Sequence, residues 1–571
     1  MNRIGSRLFL SVWEAGGVAL SWRPRTLKGF FRIRMAMTTA MMGSPQTTTT
    51  ANSSSGEETK WGFRLLCVFR MRYFDFRLAE VEALEQMACG LGFYRENEGP
   101  RKGKKGTMFK WEAPKGGEEA RDGPFWYLRA PTREAAEKLA AVVGERGVLV
   151  KCLVDLWSEG DTLEAMALDL RQGAVEDAAL RPGVEDRKSR VACFSDKGST
   201  FKFSCEGFGR RIPMQEQLAV IDVLCRACGH VGKVSLKQPQ YDFYVGNTAV
   251  SPKEHNLPSI PDHWYFGLLL CRTTTWYDAY KLSERKYLGP TSMDHEVAAL
   301  MANMAQCRPG KLAFDPYVGT GSILVACSHA GAMTYGGDID VRVIIWGKEK
   351  ECCDVKSHGE FVQNGKVDVW TNFDSYGLPR PLGLIRCDAS SLPFRRQAAC
   401  SEDLFDAVVC DPPYGIRAGG RKQGGRQAWM RDREVPEDRK DSHIPSTAAY
   451  STSECVVDLL DLSARHLVVG GRLVYFFPSA VTGEIPRDWL PSHPCLEVEH
   501  CCEQELTMVW GRKLVTMVKR KPYDPDEAGE HRKRQLALGS DLLKFDRLYE
   551  LVHSSSGEKS KKVKSYKGKK I

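Results

Sequence analysis

Residues 405–420 read FDAVVCDPPYGIRAGG, and the way this stretch must end sets the fold. Its first six residues are a short apolar run, the pattern of a buried strand. Pro412 and Pro413 lack the N–H that a sheet ladder requires, so the strand stops at Asp411. A carboxylate (Asp411), a stiffened carbonyl (Pro412, backed by Pro413) and an aromatic ring (Tyr414) are therefore presented together at the C-terminal end of a strand. Open α/β sheets bind their ligands there. These groups suit a planar base that carries an –NH2 group. The Asp411 carboxylate and the Pro412 carbonyl each accept one N–H, and Tyr414 stacks on the ring, a contact worth about 1–3 kcal/mol per base. With both protons held, the nitrogen lone pair is less delocalised into the ring and can attack an electrophile. A bare Asp-Pro-Pro would read as a turn closing a core strand. The apolar strand before it and a glycine loop upstream turn the reading toward methyl transfer onto an exocyclic amine.

That glycine loop lies in residues 312–322, LAFDPYVGTGS. A strand delivers Asp315, Tyr317 follows, and Gly319 and Gly321 flank Thr320 before a helix opens. Glycines allow close backbone approach, and a helix N-terminus offers free N–H groups. The third glycine of a dinucleotide fingerprint and the Gly-Lys-Ser/Thr of a phosphate loop are both absent, so the loop suits an amino-acid moiety rather than a pyrophosphate. Asp338, in YGGDID, ends the next strand with an acid spaced to meet a ribose hydroxyl pair. Asp388, in LIRCD, ends a third strand and is placed to meet an adenine amine. Each acid alone reads as a capping residue. Three acids at successive strand ends, followed by the Asp-Pro-Pro turn, describe a site for S-adenosylmethionine. After the turn, residues 417–440 are rich in Arg and Lys; Arg417, Arg421 and Lys422 are expected to meet phosphate.

At 571 residues the chain exceeds one domain, and its 42% hydrophobic content can fill sizeable cores. Its net charge of +9 mildly favours a polyanionic partner. No apolar run approaches a membrane span, so no membrane role is expected. The 19 cysteines lack the spacing of a disulfide scaffold and read as reduced, intracellular thiols. Cys225-x-x-Cys228 has no second such pair, so it reads as a helical core pair and no residue is assigned to a metal. Residues 1–60 are Arg- and Ser/Thr-rich with few acids, the composition of a transit peptide or a disordered extension. Residues 61–245 alternate strands and helices as an α+β unit, with helices expected over 76–90, 132–143 and 213–227 and a closing strand pair at 232–236 and 241–245. Residues 246–275 read as a linker leading into a strand, 276–521 as the α/β catalytic domain ending in a hairpin, and 522–571 as a basic tail, partly disordered.

The stretches RKYLGPTSMD, FDPYVGTGS, GGDID, CDAS, CDPPYGIRAGGRK and the late HPCLE, CEQEL and RKLVTM resemble those of the catalytic subunits of the eukaryotic tRNA (guanine-10-N2)-methyltransferase family. The upstream FKFSCEGFGRRIPMQEQ is similar to that family's N-terminal RNA-binding region. The resemblance covers about residues 61–521; Tyr317 stands where the family more often has Phe. It implies a Rossmann-like methyltransferase domain preceded by a THUMP-containing RNA-binding region. It also implies S-adenosylmethionine as cofactor, guanine 10 of tRNA as substrate, a small zinc-ribbon activator protein as partner, and a cytoplasmic location, with an organelle the alternative that the basic extension suggests. Two other readings stay open: an N6-adenine methyltransferase acting on nucleic acid, and a non-catalytic RNA-binding scaffold.

Overall fold

The computed structural model describes residues 63–88, 109–180, 196–229, 231–248, 261–289, 292–346, 348–349, 366–394, 403–413, 420–424, 447–480, 490–506 and 510–537. All lie within one compact unit, Thr59–Ile571. Residues 1–58 and the lysine-rich end fall outside them, as do Tyr414, Arg417 and most of the basic loop.

The N-terminal half is built on eight strands: β1 (Phe63–Phe69), β2 (Lys110–Glu112), β3 (Phe125–Ala130), β4 (Val150–Gly160), β5 (Thr200–Gly207), β6 (Lys233–Val234), β7 (Tyr241–Asn247) and β8 (Trp264–Arg272). Their order is β2-β3-β1-β4-β8-β7-β5-β6. Among the described residues they are accompanied by the helices α1 (Arg77–Ala88), α2 (Arg133–Arg146), α3 (Leu163–Leu180) and α4 (Met214–Cys228). Thr132 caps α2 by accepting the Ala135 N–H at 3.2 Å, as an N-cap threonine should. One strand expectation holds here and another changes. The strand expected at the end of residues 246–275 forms as β8, and it is a central strand of this sheet, antiparallel to both β4 and β7. Gly267 permits this seating, since a Cβ there would meet the Asp155 carbonyl oxygen at 2.1 Å. The expected closing pair does not pair with itself: β6 and β7 lie on opposite sides of β5, each parallel to it.

The catalytic half opens with α5 (His295–Met304), β9 (Leu312–Asp315), α6 (Ser322–His329) and β10 (Met333–Asp338). A two-stranded ribbon of β11 (Lys348–Glu349) and β12 (Lys366–Val367) leads to α7 (Val369–Tyr376) and β13 (Gly383–Arg386). Next come β14 (Phe405–Cys410), the ribbon β15 (Arg421–Gln423) with β16 (Thr447–Ala449), α8 (Thr452–His466), β17 (Leu467–Ala480), β18 (Leu496–Glu505), β19 (Trp510–Lys519) and α9 (Pro525–Ala537). The main sheet runs β13-β10-β9-β14-β17-β19-β18. Its first five strands are parallel; β17, β19 and β18 close it as an antiparallel group, the expected terminal hairpin. One face packs on α5 and α6 through Val409, Val474 and Phe476, the other on α8 through Val408, Tyr475 and Phe477. Strands covered on both faces read as continuous apolar runs, which is why FDAVVC lacks alternation.

The two halves share a core. Leu84 of α1, Leu139 of α2, Leu300 of α5 and Val409 of β14 belong to one buried cluster. Glu80, fully buried, accepts the N–H groups of Val148 and Leu149 at 2.7 and 2.8 Å and the Asn303 amide at 2.9 Å. Arg146 returns a hydrogen bond to the Asn303 side-chain oxygen at 2.9 Å. On the other flank, His500 of β18 meets Glu82 of α1 at 2.8 Å.

Candidate active site

The chain runs outward from β9 to β10 and β13, then returns to lay β14 on the other side of β9. That reversal is the switch point at which parallel α/β sheets bind ligands. Asp315 ends β9 on one side of it and Asp411 follows β14 on the other. At the opposite end of both strands, Asp406 accepts Lys311 Nζ at 2.6 Å and the Leu312 N–H at 2.9 Å, which keeps the two in register. Phe314 and Phe405 stack at 4.7 Å between them.

Gly319 and Gly321 have φ of +50° and +83°, values that disfavour any side chain. The Gly319 N–H donates to Asp338 at 3.0 Å, which ties the glycine loop to the end of β10. Asp338 also accepts the Asp340 N–H at 2.8 Å. Asp315 is 1% exposed, and the Tyr317 N–H donates to it at 2.9 Å. Among the described residues no cation pairs with it. Burial, reinforced by the charges of Asp338 and Asp411, pushes the Asp315 carboxyl well above the usual carboxylate range, against the opposing pull of the Tyr317 N–H. A buried carboxyl of this kind, beside open glycine backbone at a helix N-terminus, fits the amino-acid end of S-adenosylmethionine. The Tyr317 hydroxyl lies 3.2 Å from the Cys455 sulfur, which anchors the loop to α8. Asp388 accepts the Ser390 N–H and hydroxyl at 2.9 and 2.7 Å and the Gln423 N–H at 2.6 Å. A carboxylate has about four lone-pair sites, so one remains for an amine. Burial also raises the Asp338 carboxyl, with its backbone N–H partners opposing.

The structure thus brings Asp315, Tyr317, Gly319, Gly321, Asp338, Asp388, Asp411, Pro412 and Pro413 to the C-terminal edge of one sheet. Tyr414 and Arg417 lie outside the described residues. Arg421 is exposed and donates to Thr447 Oγ1 at 3.1 Å. Lys422 is paired with Glu454 at 2.7 Å and sits 5.5 Å from the Tyr450 ring centroid, so it is engaged within the protein. Sequence reasoning missed one neighbour: Arg512 of β19, whose guanidinium lies 3.4 Å from the Asp411 carboxylate. Its only signal was its place in GRKLVTM. Contact with Asp411 arises because β19 runs antiparallel beside β17, itself parallel to β14.

A parallel sheet with helices on both faces, a glycine loop after the first strand, an acid after the second and Asp-Pro-Pro after the fourth define a Rossmann-like methyltransferase. Residues 283–427 match the family model described as UPF0020: RMKL-like, methyltransferase domain. The chain is 30% identical over 479 residues to the human tRNA (guanine(10)-N(2))-methyltransferase TRMT11, covering 82% of this chain and 90% of that protein. It is 33% identical over 439 residues to the protein of the same name from Dictyostelium discoideum, covering 74% and 77%. The chain belongs to the tRNA (guanine(10)-N(2))-methyltransferase family.

Proposed function

We propose that the protein transfers a methyl group from S-adenosylmethionine to the N2 amine of guanine 10 in tRNA. The observation that carries this reading is the Asp411–Pro412 pair, set after β14 across the switch point from the Asp315–Gly321 loop. Asp315 would pair with the cofactor's ammonium, the loop N–H groups with its carboxylate end, Asp338 with its ribose and Asp388 with its adenine amine. When bound, the cofactor supplies an electrophilic methyl group. Asp411 and the Pro412 carbonyl hold the amine protons, which localises the nitrogen lone pair, and Pro413 keeps that carbonyl fixed. Methylation makes the nitrogen strongly acidic, so its proton leaves after transfer and Asp411 is placed to receive it. Tyr414 is assigned to stack on the base, and Arg417 and Arg421 to phosphate.

The N-terminal sheet is proposed to grip the tRNA as a THUMP-containing region. The small zinc-ribbon activator is proposed to dock on β13, an edge of the main sheet with β10 as its partner. Leu382, just before that strand, is 64% exposed, an apolar contact for an added strand. A cytoplasmic location is part of this proposal. Among the described residues no helix is long and apolar enough to cross a membrane.

The test is nucleoside mass spectrometry of tRNA incubated with the protein, its activator and cofactor. N2-methylguanosine mapped to position 10 supports the reading. N6-methyladenosine, or no methylation with the cofactor bound, overturns it.

A further inference from the structure

An Asp-Pro-Pro-Tyr turn holds any exocyclic amine, so it does not by itself separate guanine from adenine. We propose that Arg512 makes that distinction by donating to O6 of the target guanine. The proposal rests on the guanine reading above and says how the pocket enforces it.

Gln504, Phe476 and Asp411 are among the groups that position the guanidinium. Its Nε donates to Gln504 at 2.8 Å, its plane sits 3.7 Å from the centroid of the fully buried Phe476 ring, and one terminal nitrogen lies 3.4 Å from the Asp411 carboxylate. The other terminal nitrogen is 3.8 Å from the Met293 sulfur, a weak acceptor that a carbonyl oxygen outcompetes. The Arg512 side chain is 12% exposed, so its donors act where water competes poorly. Strand geometry places it: Arg512 faces Pro478 across β19 and β17, and Phe476 lies two residues before Pro478 on the same face.

The Pro412 carbonyl, the Asp411 carboxylate and the Arg512 guanidinium then make a row of acceptor, acceptor and donor. Guanine presents the complement along one edge: the N2 amine, N1–H and O6. One Asp411 oxygen takes N1–H and the other shares the amine with Pro412, while Arg512 meets O6. Adenine held by its amine at the same place turns N1, an acceptor, toward Asp411 and has only C–H where guanine has O6. A site built to hydrogen-bond a group rejects the analogue that lacks it, because its buried polar atoms are left unmatched. A carbonyl read by a guanidinium is worth roughly ten- to a hundredfold in discrimination.

The experiment compares full-length protein, with its activator, on tRNA carrying guanine or 2-aminopurine at position 10; the second base keeps the amine but lacks both O6 and N1–H, so the part of the preference that belongs to Arg512 is read from the part that Arg512→Met removes. Wild type should favour guanine by at least about tenfold in kcat/KM. Arg512→Met removes the donors at similar length. It should lower kcat/KM for guanine by about ten- to a hundredfold, leave 2-aminopurine within about threefold, and leave tRNA binding unchanged. Arg512→Lys should recover part of the preference. Equal turnover of the two bases by wild type overturns the proposal without any variant. So does an equal loss on both bases in Arg512→Met, which would mean that the arginine acts through Asp411 alone. Failure of wild type to methylate guanine 10 would instead overturn the functional reading itself.

Discussion

The role proposed for Asp411 is that of an acceptor more than a base, because an exocyclic guanine amine is scarcely basic and loses its proton easily only once methylated. Asp411→Ala should therefore raise the barrier by about 2–4 kcal/mol, the usual loss on deleting one preorganised polar group. Asp411→Asn keeps a carbonyl oxygen and should retain measurable single-turnover methylation, with tRNA affinity unchanged in both variants because phosphates dominate binding. Equal inactivity of the two would make Asp411 a general base. Asp315 gives a second test. Its carboxyl is raised by burial, so protonation competes with pairing to the cofactor's ammonium. Cofactor affinity should rise as pH is raised through the range in which Asp315 ionises, with proton release on binding, since the bound state favours the ionised carboxylate. Asp315→Asn should flatten that dependence in calorimetry. At this scale the sequence was informative: each acid sat where a strand had to end, and chain polarity placed it at one sheet edge. Arg512 was hidden because its partner is 101 residues away in the chain.

The ribbon of β15 and β16 illustrates how elements alter what a residue can do. The sequence assigns Arg417, Arg421 and Lys422 to phosphate; in the fold Lys422 is paired with Glu454 while Arg421 stands exposed. Arg421→Ala should reduce the slope of log affinity for tRNA against log salt by about one, the signature of one lost phosphate contact. Lys422→Ala should leave that slope nearly unchanged and loosen the ribbon, because its charge is already neutralised. Filter binding across a salt series separates the two; identical slopes would remove Arg421 from the RNA interface. The helix expectations were accurate at this scale because caps and periodicity are local signals. Asp294, which closes the RKYLGPTSMD stretch, caps α5 by accepting the N–H groups of Glu296 and Val297 at 3.0 and 3.3 Å.

The two sheets share one buried core, so the N-terminal half directly supports the catalytic half. Glu80 and Asn303 form the centre of that contact. Asn303→Leu would leave the buried Glu80 carboxylate short of a donor and should destabilise the protein by about 1–3 kcal/mol. Both halves should unfold together in a single denaturant transition. A variant in which one half melts first, by hydrogen exchange, would show the halves to be independent. The sequence by itself determined the order of elements, the strand ends and the chemistry gathered on them, because apolar runs, prolines and glycines act over a few residues. Only the tertiary structure decided that residues 264–272 form a central strand of the N-terminal sheet, that α1 lies against α5, and that Arg512 stands beside Asp411. Those facts depend on which strand pairs with which and which face meets which. An apolar run such as WYFGLLLCR is equally suited to several neighbours, and only the packing of the whole chain selects one of them.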